Sequence, residues 1–120
     1  MPDFFQGSPE TQSGRVHRRR LLNIPAEVVL SSSQSFAVRL VDISEGGAGI
    51  VAPAAAPSGL RFAMRFQLPQ RVGFSAASFE LQSRVVHSIL SRDSAGFKIG
   101  VQFVGLQPSD VDVLRNYVAS

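Results

Sequence analysis

Leu60-Arg61-Phe62-Ala63-Met64-Arg65-Phe66-Gln67-Leu68 alternates strictly between large apolar side chains and small or polar ones. Successive residues of a strand point to opposite faces, so residues 60, 62, 64, 66 and 68 would line a core. Arg61, Arg65 and Gln67 would then face water. A helix would need apolar residues three and four apart, so this stretch reads as a half-buried strand. Downstream the pattern returns in Phe97, Ile99, Val101 and Phe103, set against Lys98, Gly100 and Gln102. Between the two lie a loop over Pro69–Ser78, a strand over Phe79–Leu90 carrying Leu81, Val85 and Ile89, and a turn over Ser91–Gly96. Upstream, Ile24, Ala26, Val28 and Leu30 mark a first strand, Ser31–Ser35 a polar loop, and Phe36, Val38 and Leu40 a second strand. Asp42–Gly47 reads as a turn and Ala48–Ala52 as a third short strand. After Phe103 the period changes. Val111, Leu114 and Val118 follow helical spacing, with Ser109 and Asp112 forming a capping-box-like start after Pro108. Six short strands and one amphipathic helix predict a mainly β fold, a six-stranded antiparallel barrel braced by a short C-terminal helix.

The chain has 120 residues, enough for one domain. Residues 1–14, rich in Gly, Ser, Pro and Gln, read as a flexible tail ahead of a domain over 15–120. There is no Cys, so neither disulfides nor thiolate chemistry is available. The first residues lack a basic segment followed by an apolar one, and no stretch offers the roughly 20 apolar residues of a membrane span. A cytoplasmic protein without a membrane span is expected. The formal net charge is +3, and Lys98 is the only lysine; every other strong base is arginine. Arginine brings a planar donor fork that pairs bidentately with phosphate or a guanine edge and stacks on bases.

Two constellations carry chemistry. In the first, Arg15 and Arg19 stand four apart just before the first strand, with His17, Arg18 and Arg20 beside them. A helical segment would place Arg15 and Arg19 on one face; an extended one would point them the same way about 13 Å apart. Either could grip a dianion or a nucleotide. In the second, Asp42-Ile43-Ser44-Glu45-Gly46-Gly47 joins the second and third strands. It can be a plain turn, glycines supplying the backbone freedom. It can equally present a carboxylate to guanine's N–H donors, a hydroxyl to phosphate or amine, and a bare backbone to a ligand. His87, in the fifth strand, suits a surface position or the rim of a pocket. Two isolated histidines make no metal site, Ser44 lacks a nucleophile's surroundings, and a phosphate-loop motif is absent, so no enzyme is expected.

Arg-x-x-x-Arg before the first strand and Asp-x-Ser-x-x-Gly after the second, with six strands and a terminal helix, resemble the PilZ domain family over about residues 15–119. Pro25 at the first strand and the closing Ile99-Gly100-Val101-Gln102-Phe103-Val104-Gly105-Leu106 fit the same pattern. The resemblance implies a split barrel that binds cyclic di-GMP in second-messenger signalling, as in motility and biofilm regulation. Carried over by position, Arg15 and Arg19 contact guanine and phosphate, Asp42 and Ser44 hydrogen-bond a guanine, and Gly47 keeps the surface clear. Arg18, Arg20, Gly46 and His87 are possible accessory contacts. No metal or cofactor is implied beyond the nucleotide ligand.

The expected function is therefore a cyclic di-GMP receptor that signals to a protein partner. Its arginine arm, through Leu22, would be mobile until ligand orders it, on a barrel running from Ile24 to Val104. The alternatives are a general nucleic-acid-binding barrel and a PilZ-like adaptor that binds no ligand. Nucleic acid is the less apt ligand, because Tyr117 is the only tyrosine, Trp is absent, and Asp42 would sit badly beside phosphates.

Overall fold

A computed structural model of the chain describes residues 18–70, 75–91 and 96–119. Six strands precede one helix: β1 (Arg20–Ser31), β2 (Gln34–Ile43), β3 (Gly47–Ala52), β4 (Arg61–Leu68), β5 (Ala77–Ser91), β6 (Gly96–Phe103) and α1 (Pro108–Ala119). The strands close into a barrel in the order β1-β2-β3-β6-β5-β4, every pair antiparallel. Closure comes from β1, which pairs with β2 along its length and with β4 from Ala26 to Val29. Closure of this kind gives each of the six strands a neighbour on both sides.

The strand that decides the fold behaves as its alternation requires. Phe62, Met64, Phe66 and Leu68 are buried, while Arg61, Arg65 and Gln67 are exposed. Leu40, Ile50, Val85 and Val101 meet Met64 in the same core. Phe66 stacks on Phe79 of the neighbouring strand with ring centroids 5.2 Å apart.

Several boundaries move. β1 begins at Arg20 rather than Ile24, because Arg20 and Leu21 stay in register with Ile43 and Asp42. The loop expected over Ser31–Ser35 shrinks to Ser32 and Ser33. The serines flanking it belong to a hairpin whose tip is exposed, where strand residues have no core to face. α1 starts at Pro108, with the amides of Asp110 and Val111 donating to the Gln107 carbonyl. Pro108 thus fills the first helical position, where a missing N–H costs nothing, and the expected Ser109 cap does not form. Leu114 and Tyr117 are the buried residues of α1.

Candidate functional site

Three departures from regular pairing aim the site. Between Leu40 and Asp42 the β2–β3 ladder slips by a residue, so Leu40 faces Ile50 and Asp42 faces Gly49. Such a bulge reverses the alternation beyond it. Ile43 therefore turns into the core with Ala48, and Asp42 lies on the outer face of the sheet. A second slip, between Val85 and His87, sets His87 opposite Gly100. Pairing then gives a continuous row across five strands: Leu21, Asp42, Gly49, Gly100, His87. A third slip, in β1 between Leu21 and Ile24, brings the arm's end level with Asp42. The row has an acid near one side, a histidine at the other, and two glycines between them.

Asp42 is the centre of this surface. Its side chain is only 3% exposed, and two cations hold it. The Arg19 guanidinium donates to Oδ1 at 2.6 Å, and the Lys98 ammonium stands 3.4 Å from Oδ2. A buried carboxylate needs such partners, since an unpaired charge out of water is costly. Gly49 makes the room: a Cβ there would lie 2.6 Å from Asp42 Oδ2. Burial pulls Arg19 below its ordinary pKa, and the attraction of Asp42 only partly opposes this. The Arg19 side chain nevertheless stays about a third exposed, so the pair sits at the edge of the solvent.

The turn after β2 is closed by its own serine. Ser44 Oγ donates to the Gly47 carbonyl and accepts from the amides of Gly46 and Gly47. The Ser44 amide also donates to the Gly47 carbonyl, and Gly46 accepts from the Phe103 amide of β6. Gly47 is demanded by packing, because a Cβ there would sit 2.3 Å from the Val101 carbonyl oxygen. Glu45 points to α1 and accepts from Arg115.

The arginines of the arm go different ways. Arg15 and His17 lie outside the described residues, and Arg18 is exposed. Arg19 joins Asp42, whereas Arg20, one residue on, lies over the Tyr117 ring at 5.5 Å from its centre. The arm expected to be mobile through Leu22 is already paired from Arg19 onward, by the Asp42 ion pair and the β1–β2 ladder.

Sequence reasoning passed over Lys98 and the role of Gly49. The signal for Lys98 was its being the sole lysine, on the outward alternation of β6. Gly49 stood beyond the motif, and only the bulge at residue 41 brings it opposite the acid. Elsewhere, a hollow of about 260 Å³ opens at the barrel end away from α1, between Leu30, Phe36, Ala52 and Phe62. Its lining carries no charged side chain and offers a nucleotide no partner. Among the described residues no helix is long and apolar enough to cross a membrane, and no group of three His, Asp or Glu side chains gathers at a metal site.

Comparison with known proteins agrees with the barrel. The family model described as the PilZ domain matches residues 14–120. The alginate biosynthesis protein Alg44 of Pseudomonas syringae pv. tomato is 32% identical over 113 residues, covering 92% of this chain but only 27% of that protein. The structure of the Bacillus subtilis inhibitor of motility MotI/DgrA superposes with a TM-score of 0.74 at 16% identity, covering 90% of this chain and 50% of that one. The PilZ domain of YcgR from Escherichia coli, solved with c-di-GMP, gives 0.66 at 17% identity and covers 89% and 90% of the two chains. At such identities the structures establish the shared barrel.

Proposed function

The chain belongs to the PilZ domain family, and from that we infer that it is a non-catalytic receptor for cyclic di-GMP. The observation that carries the reading is the meeting of Arg19 and Asp42, 23 residues apart in sequence, beside the bare Gly49–Gly100 floor. A guanine edge presents N–H donors to a carboxylate, and its O6 and N7 accept from an arginine fork. Phosphates attract the same arginines. A surface with a buried acid flanked by cations suits a ligand that has both. A phosphate-tracking nucleic-acid binder would gain nothing from that acid.

In this reading residues 15–120 form the binding domain and 1–14 a tail outside it. Arg15, Arg19, Asp42, Ser44 and Gly47 make the nucleotide site, Ser44 through the turn that its hydroxyl closes. Arg18, Gly46 and His87 border it. Arg20, which also lies over Tyr117 of α1, borders it as well. Ligand would take the place of one cation at Asp42, and the receptor would report this to a protein partner in the cytoplasm. The relatives fit such a role, since YcgR binds c-di-GMP and MotI/DgrA is named an inhibitor of motility. Titration calorimetry with cyclic di-GMP, with GTP and single-stranded DNA as controls, tests the reading. Selective binding of cyclic di-GMP is expected; DNA binding alone, or no binding, overturns it.

A further inference from the structure

We propose that Lys98 reads the O6 edge of guanine beside Asp42 and thereby sets a preference for guanine over adenine. The proposal rests on the receptor reading above and goes beyond the arginine and Asp-x-Ser-x-x-Gly motifs. Three features of the acid's surroundings carry it.

The first is position. Lys98 is rooted in β6, paired with Val51 on one side and Ile89 on the other, so its backbone is held whether or not ligand is present. Its ammonium reaches Asp42 Oδ2, the oxygen nearest to the space that a Cβ on Gly49 would fill. On guanine's pairing edge O6 lies next to N1–H, and N2–H₂ lies on the far side of N1. A carboxylate that accepts from N1–H and N2–H₂ therefore brings O6 alongside the oxygen that binds N1. With Oδ2 on N1–H and Oδ1 on N2–H₂, the Lys98 ammonium beside Oδ2 comes within hydrogen-bonding reach of O6.

The second is the difference between the two ion pairs. Arg19 holds Oδ1 at 2.6 Å, a tight charge-assisted bond, while Lys98 stands 3.4 Å from Oδ2. Charge-assisted N–H···O bonds are about 2.7–2.9 Å long, so the lysine meets Oδ2 as a longer ion pair than Arg19 makes with Oδ1. An ammonium carries three rotatable donors, and it can serve Oδ2 and O6 together.

The third is chemical sign. Adenine places an amino group where guanine has O6, and an acceptor nitrogen where guanine has N1–H. It would set donor against Lys98 and acceptor against Asp42. The lysine and the acid thus form a donor–acceptor pair complementary to guanine.

Lys98→Met keeps the aliphatic stem and removes the charge. Its binding of cyclic di-GMP, cyclic di-AMP and the inosine analogue of cyclic di-GMP is compared with wild type by calorimetry, with circular dichroism and thermal midpoint as fold checks. Lys98→Gln is the second variant should Met perturb the barrel. Losing one charged hydrogen bond weakens cyclic di-GMP binding on the order of 10-fold and narrows the gap to cyclic di-AMP. The inosine analogue, which keeps O6 but lacks the 2-amino group, loses affinity by the same factor. Asp42→Ala, in contrast, costs more with cyclic di-GMP than with the inosine analogue. Unchanged affinity in a folded Lys98 variant overturns the proposal and leaves the receptor reading standing. Tighter binding does too, since it would make Lys98 only a mask over Asp42. Failure of the wild type to bind cyclic di-GMP overturns the receptor reading itself, and the lysine's role with it.

Discussion

Glu45 Oε1 accepts two hydrogen bonds from the Arg115 guanidinium, from Nε at 3.1 Å and Nη2 at 2.9 Å, across 70 residues of sequence. The bond ties the turn that follows Asp42 to the middle of α1. Two residues further along the same helix, Arg20 lies over the Tyr117 ring. The two halves of the site are thus each one residue from a contact with α1: Asp42–Ser44 through Glu45, and Arg19 through Arg20. A ligand that shifts either half should therefore act on the helix.

Glu45→Ala should therefore uncouple α1 from the nucleotide. The pair is partly exposed, so its loss costs about 0.2–1 kcal/mol of stability. Hydrogen exchange is the measurement. Cyclic di-GMP should slow exchange in Pro108–Ala119 of the wild type, and this protection should largely vanish in the variant while that of β2 persists. Equal protection of α1 in both proteins would show that the pair carries no signal.

Arg19→Ala should weaken cyclic di-GMP binding on the order of 100-fold, because a bidentate contact is worth two charged hydrogen bonds of roughly 1.5–3 kcal/mol each. Arg19→Lys should restore little, having neither the fork nor the stacking face. Calorimetry on protein with an unchanged circular-dichroism spectrum reads both. Wild-type affinity in the alanine variant would remove Arg19 from the site.

Asp42→Ala separates a guanine reader from a polyanion binder by the sign of its effect. A receptor loses the acceptor for N1–H and N2–H₂ and binds cyclic di-GMP more weakly. A nonspecific binder would lose a repulsive charge and bind nucleic acid more tightly, most visibly at low salt. A titration at two salt concentrations reads the sign directly.

Gly47→Ala and Gly49→Ala should fail in different ways. A methyl at 47 meets the Val101 backbone oxygen at 2.3 Å, which cannot move without opening the β3–β6 ladder. Overpacking of this kind costs roughly 1–3 kcal/mol, seen as a lower thermal midpoint. A methyl at 49 meets the Asp42 carboxylate, a side chain that can turn aside. That variant should keep most of its stability and lose nucleotide affinity. A Gly49→Ala protein that binds normally would show that the acid need not stay in place.

A further measurement bears on the arm. Leu21 pairs with Asp42 and Arg20 with Ile43, so these amides should be protected from exchange before any nucleotide is added. Ligand-dependent slowing should lie upstream of Arg20. Marked slowing at Leu21 and Leu22 would mean that the start of β1 opens in the free protein.

The alternation of residues 60–68 and 97–103, the helical spacing of Leu114, and the two spaced motifs determined the barrel, its terminal helix and its family from the chain alone. Those signals are local: side-chain direction repeats every two residues in a strand and every three to four in a helix, whatever lies across the sheet. What faces what was decided by tertiary structure. A one-residue slip at Val41 sends Asp42 outward and Ile43 inward, and the opposite assignment was equally compatible with the sequence, because a bulge leaves no mark on alternation. Only the pairing of β6 with β3, strands far apart along the chain, lays Lys98 against Asp42. Only the start of β1 sends the adjacent Arg19 and Arg20 to different partners, one to the acid and the other to Tyr117 of the helix. Pairing partners depend on register and closure, which the whole set of strands settles together and no single stretch of sequence contains.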